Sequence, residues 1–146
     1  MSDMSGNSLH YHYIVPGDDF TQAGAASSAV KQILKQLGLN PQTIRKMSIS
    51  LYEGEINMVI HAGGGEIDVD IDDKKIVAVL TDYGPGIEDV DLAMQAGWST
   101  ASEQVRGLGF GAGMGLPNMK KYSDELIINT TVGAGTKVTI VVNIEN

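Results

Sequence analysis

Cysteine is absent from this chain of 146 residues, so neither a disulfide framework nor thiolate chemistry can belong to it, and a reducing compartment is permitted. Basic residues are scarce: ten lysines and arginines face eighteen acidic residues, a net charge of −8. A phosphate-backbone surface needs the opposite balance, so no nucleic-acid partner is expected. A nucleotide can still be held where cations gather locally, as Arg106, Lys120, Lys121 and a divalent metal would. No apolar run is long enough to span a bilayer and no basic-then-apolar leader opens the chain, so a soluble, cytoplasmic protein without a membrane partner is expected. There is no convincing internal repeat. With 42% hydrophobic residues, the length suits one domain over 9–146, after a frayed start at 1–8.

Two common phosphate-binding devices are missing as well. Glycine falls on alternate positions at 107, 109, 111, 113 and 115, yet Leu116-Pro117 stands where a P-loop needs Lys-Ser or Lys-Thr. A dinucleotide fingerprint needs an apolar strand upstream, and the chain there has Ser102, Glu103, Gln104 and Arg106. Each glycine removes a packing side chain and adds backbone states, so the backbone is the working part of the stretch from Ser99 to Asp124. A helix over Leu116 to Tyr122 follows. The stretch reads as a flexible lid feeding a helix N-terminus that suits a phosphate; the plainer reading is an exposed linker.

Elsewhere periodicity sets the elements. Leu9, Tyr11, Tyr13 and Val15 alternate with His10, His12 and Ile14 as in a strand, ended by Pro16-Gly17. His10 and His12 share a face and could bind a metal, but without acidic or thiol neighbours in sequence they read as a half-exposed strand face. Helical spacing runs from Phe20 to Leu37, with Gly38 as the left-handed residue after the helix and Leu39 folding back on Ile33 or Leu34. Asn40-Pro41 caps a second helix reaching about His61, before Gly63-Gly64-Gly65. Glu66 to Ile71 and Lys75 to Thr81 form a hairpin about Asp72-Asp73, and a short helix covers Glu88 to Ala96. Glu125 to Thr130 and Thr136 to Ile144 close the chain around Val132-Gly133-Ala134-Gly135. Segregated strands and helices predict an α+β fold, a two-layer α/β sandwich whose mostly antiparallel mixed sheet carries its helices on one face.

On the second helix Ser50, Glu53, Asn57 and His61 fall within one quadrant, opposite Ile44, Met47, Leu51 and Met58. A carboxylate and a carboxamide one turn apart can serve a divalent cation and a nucleophile beside it; polar residues at this spacing also make an ordinary solvated face. Glu55 lies about 160° from Asn57 on the wheel, so it cannot replace Glu53, and the pattern gives no reason for a glutamate near the apolar arc. Gly54 suggests close approach of another backbone. Asp82-Tyr83-Gly84-Pro85-Gly86-Ile87 places a carboxylate at a strand end beside a tight turn, where it could accept a hydrogen bond from the exocyclic amine of adenine or simply cap the turn.

In that order, Glu53 with Asn57, Asp82-Tyr83-Gly84-Pro85-Gly86 and the lid ending Gly113-Met114-Gly115-Leu116 resemble the N, G1 and G2 boxes of the GHKL superfamily of ATPases. Gly133-Ala134-Gly135-Thr136 is similar to its last nucleotide-contacting glycine box. The resemblance spans Asn40 to Val142 and implies the GHKL, or Bergerat, ATP-binding fold. Gly97-Trp98-Ser99-Thr100 and Gly115-Leu116-Pro117-Asn118-Met119-Lys120 resemble in particular the single-domain anti-sigma factor kinases and the stressosome switch kinase. The resemblance implies a protein serine/threonine kinase using ATP and Mg²⁺ in a bacterial partner switch. Glu53 would then be the general base and Asn57 the metal ligand. Asp82 would bind the adenine amino group with Gly84, Gly86 and Thr136 nearby, while Gly113, Gly115 and Leu116 would wrap the phosphates and Arg106 would reach the γ-phosphate. The acceptor would be a STAS-domain protein, with a sigma factor or phosphatase regulator as a further partner and a homodimer as the assembly. The lid is longer and richer in glycine than in the sporulation anti-sigma kinases. A different class remains open, a nucleotide-gated module that sequesters its partner without turnover, as does a detached histidine-kinase ATP-binding domain.

Overall fold

Alternating apolar residues build the sheet, and the alternation decides which side the helices cover. In the computed structural model, which describes residues 8–17, 20–94 and 115–144, the strands are β1 (Leu9–Pro16), β2 (Gly64–Ile71), β3 (Lys75–Asp82), β4 (Glu125–Thr131) and β5 (Gly135–Asn143). They lie in the order β1-β2-β3-β5-β4, and every pairing is antiparallel. The mostly antiparallel expectation thus holds throughout the described residues. Tyr11, Val69, Ala78, Ile140 and Leu126 stand in one cross-strand row, with His12, Asp68, Val79, Thr139 and Ile127 in the next, facing the other way. The first kind of row points into the core. Ile67, Val69, Ile76, Ala78, Ile140 and Val142 are almost fully buried there, each larger side chain contributing roughly 1.5–3 kcal/mol of transfer free energy. Among the described residues the other face has no helix over it, so this is the two-layer α+β sandwich expected.

Among the described residues four helices accompany the sheet: α1 (Ala25–Gln36), α2 (Pro41–Ala62), α3 (Val90–Ala93) and α4 (Gly115–Lys121). The end of α1 follows the expected pattern, with Gly38 N–H donating to Lys35 O and Leu39 N–H to Leu34 O. Asn40 caps α2 by accepting from Gln42 N–H at 2.8 Å, ahead of Pro41 in the first turn. The β2–β3 turn is held by Asp72, whose Oδ1 accepts from Lys74 and Lys75 N–H at 2.7 and 2.8 Å. Those two donors favour the ionised form and hold the Asp72 carboxyl below its usual range.

The beginning of α1 corrects the periodicity reading. Helical spacing from Phe20 is interrupted: a short 3₁₀ turn covers Phe20–Gln22, and α1 begins only after Gly24. No side chain from its own flank caps it. The buried carboxylate of Glu55 does so from α2, accepting from Gly24 N–H (2.9 Å), Ala26 N–H (3.3 Å), Ser27 N–H (2.8 Å) and Ser27 Oγ–H (2.6 Å). A glutamate stands near the apolar arc because the first turn of α1 is brought there with unpaired donors. The expectation for Gly54 also changes. A side-chain carbon at that position would lie 2.5 Å from Leu80 and 2.9 Å from Met119, so side chains of β3 and α4, rather than a backbone, use the space. The short helix before the lid starts later than expected, at Val90, because Asp89 caps it by accepting from Leu92 N–H.

The lid itself up to Met114, with Arg106, Gly113 and Gly97-Trp98-Ser99-Thr100, lies outside the described residues, as do residues 1–7.

Candidate functional site

Asp82 ends β3, opposite Thr136 on β5. One of its oxygens, Oδ1, accepts from Gly84 N–H and Thr136 N–H, both at 3.1 Å. Both bonds use the same oxygen, so the carboxylate is fixed in direction while Oδ2 keeps its acceptor capacity among the described residues. Thr136 acts through its backbone here: its side chain is buried and its Oγ1 lies 2.9 Å from Thr130 Oγ1. Thr130 Oγ1 in turn accepts from Ile87 N–H at 2.9 Å, and Gly133 N–H donates to Pro85 O at 2.8 Å. The two glycine turns, 84–86 and 133–135, are thereby tied into one corner. Gly86 has φ 80°, and a side chain there would run into Thr131 O at 2.6 Å, so the turn admits little else. An open cleft of about 540 Å³ at this corner is lined by Asp82, Tyr83, Thr130, Gly135, Thr136 and Lys137, among others.

α2 runs from this corner to the other candidate residues. Its last turn touches the Asp82 corner, since a side chain on Gly84 would lie 2.6 Å from the Ala62 methyl. Asn57 stands about 7.5 Å back along the axis and Glu53 about 6 Å beyond it. Both side chains are partly exposed. Gly115, the first residue of α4, lies directly on Asn57: a side-chain carbon there would sit 2.7 Å from Asn57 Nδ2 and 2.8 Å from Oδ1. Three residues on, Asn118 Nδ2 donates to Glu53 Oε2 at 3.3 Å. The fold thus brings Glu53, Asn57 and Gly115 together, with Asp82, Gly84, Gly86 and Thr136 grouped at the end of the same helix. None of Glu53, Asn57 and Gly115 lines the open cleft.

Two side chains near the site are turned into the protein. The Leu116 side chain is buried in the hydrophobic core, which leaves its amide rather than its side chain for a ligand. Ser50, in the same quadrant as Glu53, is buried and donates to Lys46 O at 2.8 Å, so it takes no part. Asn118 was not among the sequence candidates. The signal for it was present, because 115 and 118 share a helix face.

The family profile of the histidine kinase-like ATPase domain matches residues 18–142. The chain belongs to this family. Over 118 residues the ATPase domain is 30% identical to the serine/threonine-protein kinase RsbT of Bacillus subtilis, covering 78% of this chain and 83% of that one. It is 35% identical over 118 residues to the anti-sigma F factor of Caldanaerobacter subterraneus subsp. tengcongensis, covering 77% and 79%. Among solved structures, one of the SiaB–SiaC complex from Pseudomonas aeruginosa shares the fold at a TM-score of 0.62 and 14% identity, over 97% of this chain and 93% of that one. Membership of the family implies use of ATP. No helix among the described residues is long and apolar enough to cross a membrane.

The histidines of the ATPase domain are placed in opposite environments. His10 Nδ1 lies 2.8 Å from Asp70 Oδ1, and His12 Nδ1 lies 2.8 Å from Asp68 Oδ1, across the β1–β2 pairing. The acidic neighbours missing from the local sequence are therefore supplied by β2. Among the described residues no three His, Asp or Glu side chains gather into a metal-binding cluster. The hydrogen bond to Asp70 holds His10 above its usual value, whereas burial on α2 holds His61 below it. Nuclear magnetic resonance titration is expected to show His61 losing its proton first as pH rises, and His10 after the ordinary midpoint of about 6.5. The sign for stability follows: the His10 contribution is complete below the unfolded midpoint and fades as pH rises past its own, while that of His61 is present above the unfolded midpoint and lost on acidification. Midpoints in the reverse order would remove the Asp70 contact or the burial of His61.

Proposed function

We propose that the chain is an ATP-dependent protein serine/threonine kinase of a bacterial partner switch, acting in the cytoplasm on a STAS-domain protein. The observation that carries this reading is a carboxylate, Glu53, partly exposed one helical turn from Asn57 and held by Asn118, on the helix that ends at the Asp82 corner. Binding a nucleotide alone needs no such carboxylate.

In the reaction Glu53 accepts the proton of the acceptor hydroxyl as its oxygen bonds to the γ-phosphorus; the bond from that phosphorus to the β–γ bridging oxygen breaks, and ADP leaves. The free Asp82 Oδ2 accepts from the adenine amino group, and the Gly84 and Gly86 turn lets the ring approach the backbone. The carboxamide of Asn57, beside Gly115, is a hard oxygen ligand of the kind Mg²⁺ accepts alongside phosphate oxygens, and the metal would supply charge neutralisation there. Gly113, Gly115, the Leu116 amide and Arg106 complete the proposed phosphate site.

Titration calorimetry with ATP and ADP, with and without Mg²⁺, tests the nucleotide site. Asp82→Asn is expected to weaken adenine-nucleotide binding roughly 30-fold, the equivalent of one charge-assisted hydrogen bond of about 2 kcal/mol. The amide NH₂ must point either at the Gly84 and Thr136 donors or at the adenine amine, and both are wrong. Unchanged affinity in a folded Asp82→Asn protein would take Asp82 out of the site.

A second reading is favoured by the relatives named anti-sigma F factor: a nucleotide-gated module that binds a sigma factor or regulator without required turnover. A partner captured equally with and without Glu53, with no phosphate transferred, would select it.

A further inference from the structure

The end of α2 beyond Glu53 carries a local excess of positive charge on an acidic protein. Gly115 lies on Asn57, Asn118 on Glu53 and Tyr122 beside Arg45, so α4 runs antiparallel to α2. The strip between them starts at the proposed phosphate site, passes the carboxylate and ends at Arg45, Lys46 and Lys121, three of the chain's ten cations, while Lys120 stands on the opposite side of α4. Lys46 is neutralised by Asp124, with Nζ 2.6 Å from Oδ1. Glu125, the next acidic residue, starts β4 on the uncovered face of the sheet. Among the described residues Arg45, Lys120 and Lys121 have no carboxylate partner. The Tyr122 ring gathers two of them, with the Arg45 guanidinium 5.8 Å and the Lys121 ammonium 5.3 Å from its centroid. Two like charges collected at one ring repel each other until an anion arrives.

We propose that this strip is the docking surface for the acidic flank of the phosphoacceptor protein: Arg45 and Lys121 take carboxylates lying near its serine or threonine. The placement rests on the kinase reading, in which Glu53 marks the position of the acceptor hydroxyl. Arg45 and Lys46 stand seven or eight residues back from Glu53, about 11–12 Å along the helix, a span that an extended segment covers in three to four residues. The recognised carboxylates therefore lie three to four positions from the acceptor hydroxyl. A surface of this charge also repels acceptors with basic flanks, which gives selectivity within an otherwise acidic protein.

The test uses the full chain and two fluorescent peptides, each with a single serine, one carrying aspartates three and four positions away on either side and the other lysines. Anisotropy at about 50 mM salt is expected to show the aspartate peptide binding at least about tenfold tighter than the lysine peptide, with the preference fading at about 0.5 M. The double substitution Arg45→Glu, Lys121→Glu is expected to abolish that preference while the thermal unfolding midpoint shows the protein still folded; Arg45→Gln, Lys121→Gln serves if the reversal impairs folding. Equal binding of the two peptides, binding of neither, or a preference untouched by the substitutions would overturn the docking surface. Phosphate transfer from ATP is read separately. Aspartate-peptide binding through Arg45 and Lys121 without transfer keeps the docking surface and counts against the kinase, whereas equal transfer to both peptides does the reverse.

Discussion

Glu53→Ala is expected to lower phosphate transfer to a serine acceptor by about 10²–10⁴-fold, the usual contribution of a positioned general base, while the dissociation constant for ATP stays within about twofold. The split is expected because Glu53 lies on the proposed docking strip and is bonded by Asn118, whereas the Asp82 corner lies at the far end of α2, about 13 Å away along the axis. Single-turnover transfer assays beside calorimetry give both numbers. Asn118→Ala removes only the 3.3 Å hydrogen bond to Glu53, and a smaller fall, on the order of tenfold, is expected. Transfer by Glu53→Ala at the wild-type rate would remove the base from the mechanism even if ATP binding proved normal.

Glu55→Ala, two residues along the same helix, is expected to do the opposite: destabilise the fold by about 3 kcal/mol with no direct effect on chemistry. It orphans the N–H groups of Gly24, Ala26 and Ser27 at the buried start of α1, and each unsatisfied buried donor costs about 1–3 kcal/mol before any recovery by water. At this chain length the loss corresponds to a fall in Tm of roughly 10 °C. Ser27→Ala, which removes one donor and leaves the carboxylate its three amides, should cost about 1 kcal/mol. Denaturant titration of the two variants checks the order. A Glu55→Ala midpoint equal to wild type would mean that α1 needs no cap from α2.

These two glutamates show where the sequence is readable. The helical wheel separates Glu53 from Glu55 and puts the first with Asn57, because side-chain direction in a helix follows from numbering alone. It cannot say what faces the second, since the donors of Gly24, Ala26 and Ser27 are about thirty residues away in sequence and reach Glu55 only when α1 packs on α2. The histidines repeat the lesson. Alternation puts His10 and His12 on one strand face, but their acidic neighbours Asp68 and Asp70 come from a strand more than fifty residues later, through a register that no local pattern contains.

By itself the sequence determined the elements with strong period or clear caps, the helix from Asn40-Pro41, the two-residue alternation of β1, β2 and β5, and the chemistry available at Glu53, Asn57 and Asp82. Those are local properties: backbone capping, side-chain direction and residue type act within a few positions. Only the tertiary structure decided that α1 waits until Gly24, that Asp82 spends one oxygen on Gly84 and Thr136 and keeps the other, and that Gly115 and Asn118 meet Asn57 and Glu53. Each of these depends on which donor finds which acceptor across separate elements once the β3–β5 and α2–α4 contacts form, because a buried polar group must be paired by whatever the packing brings to it.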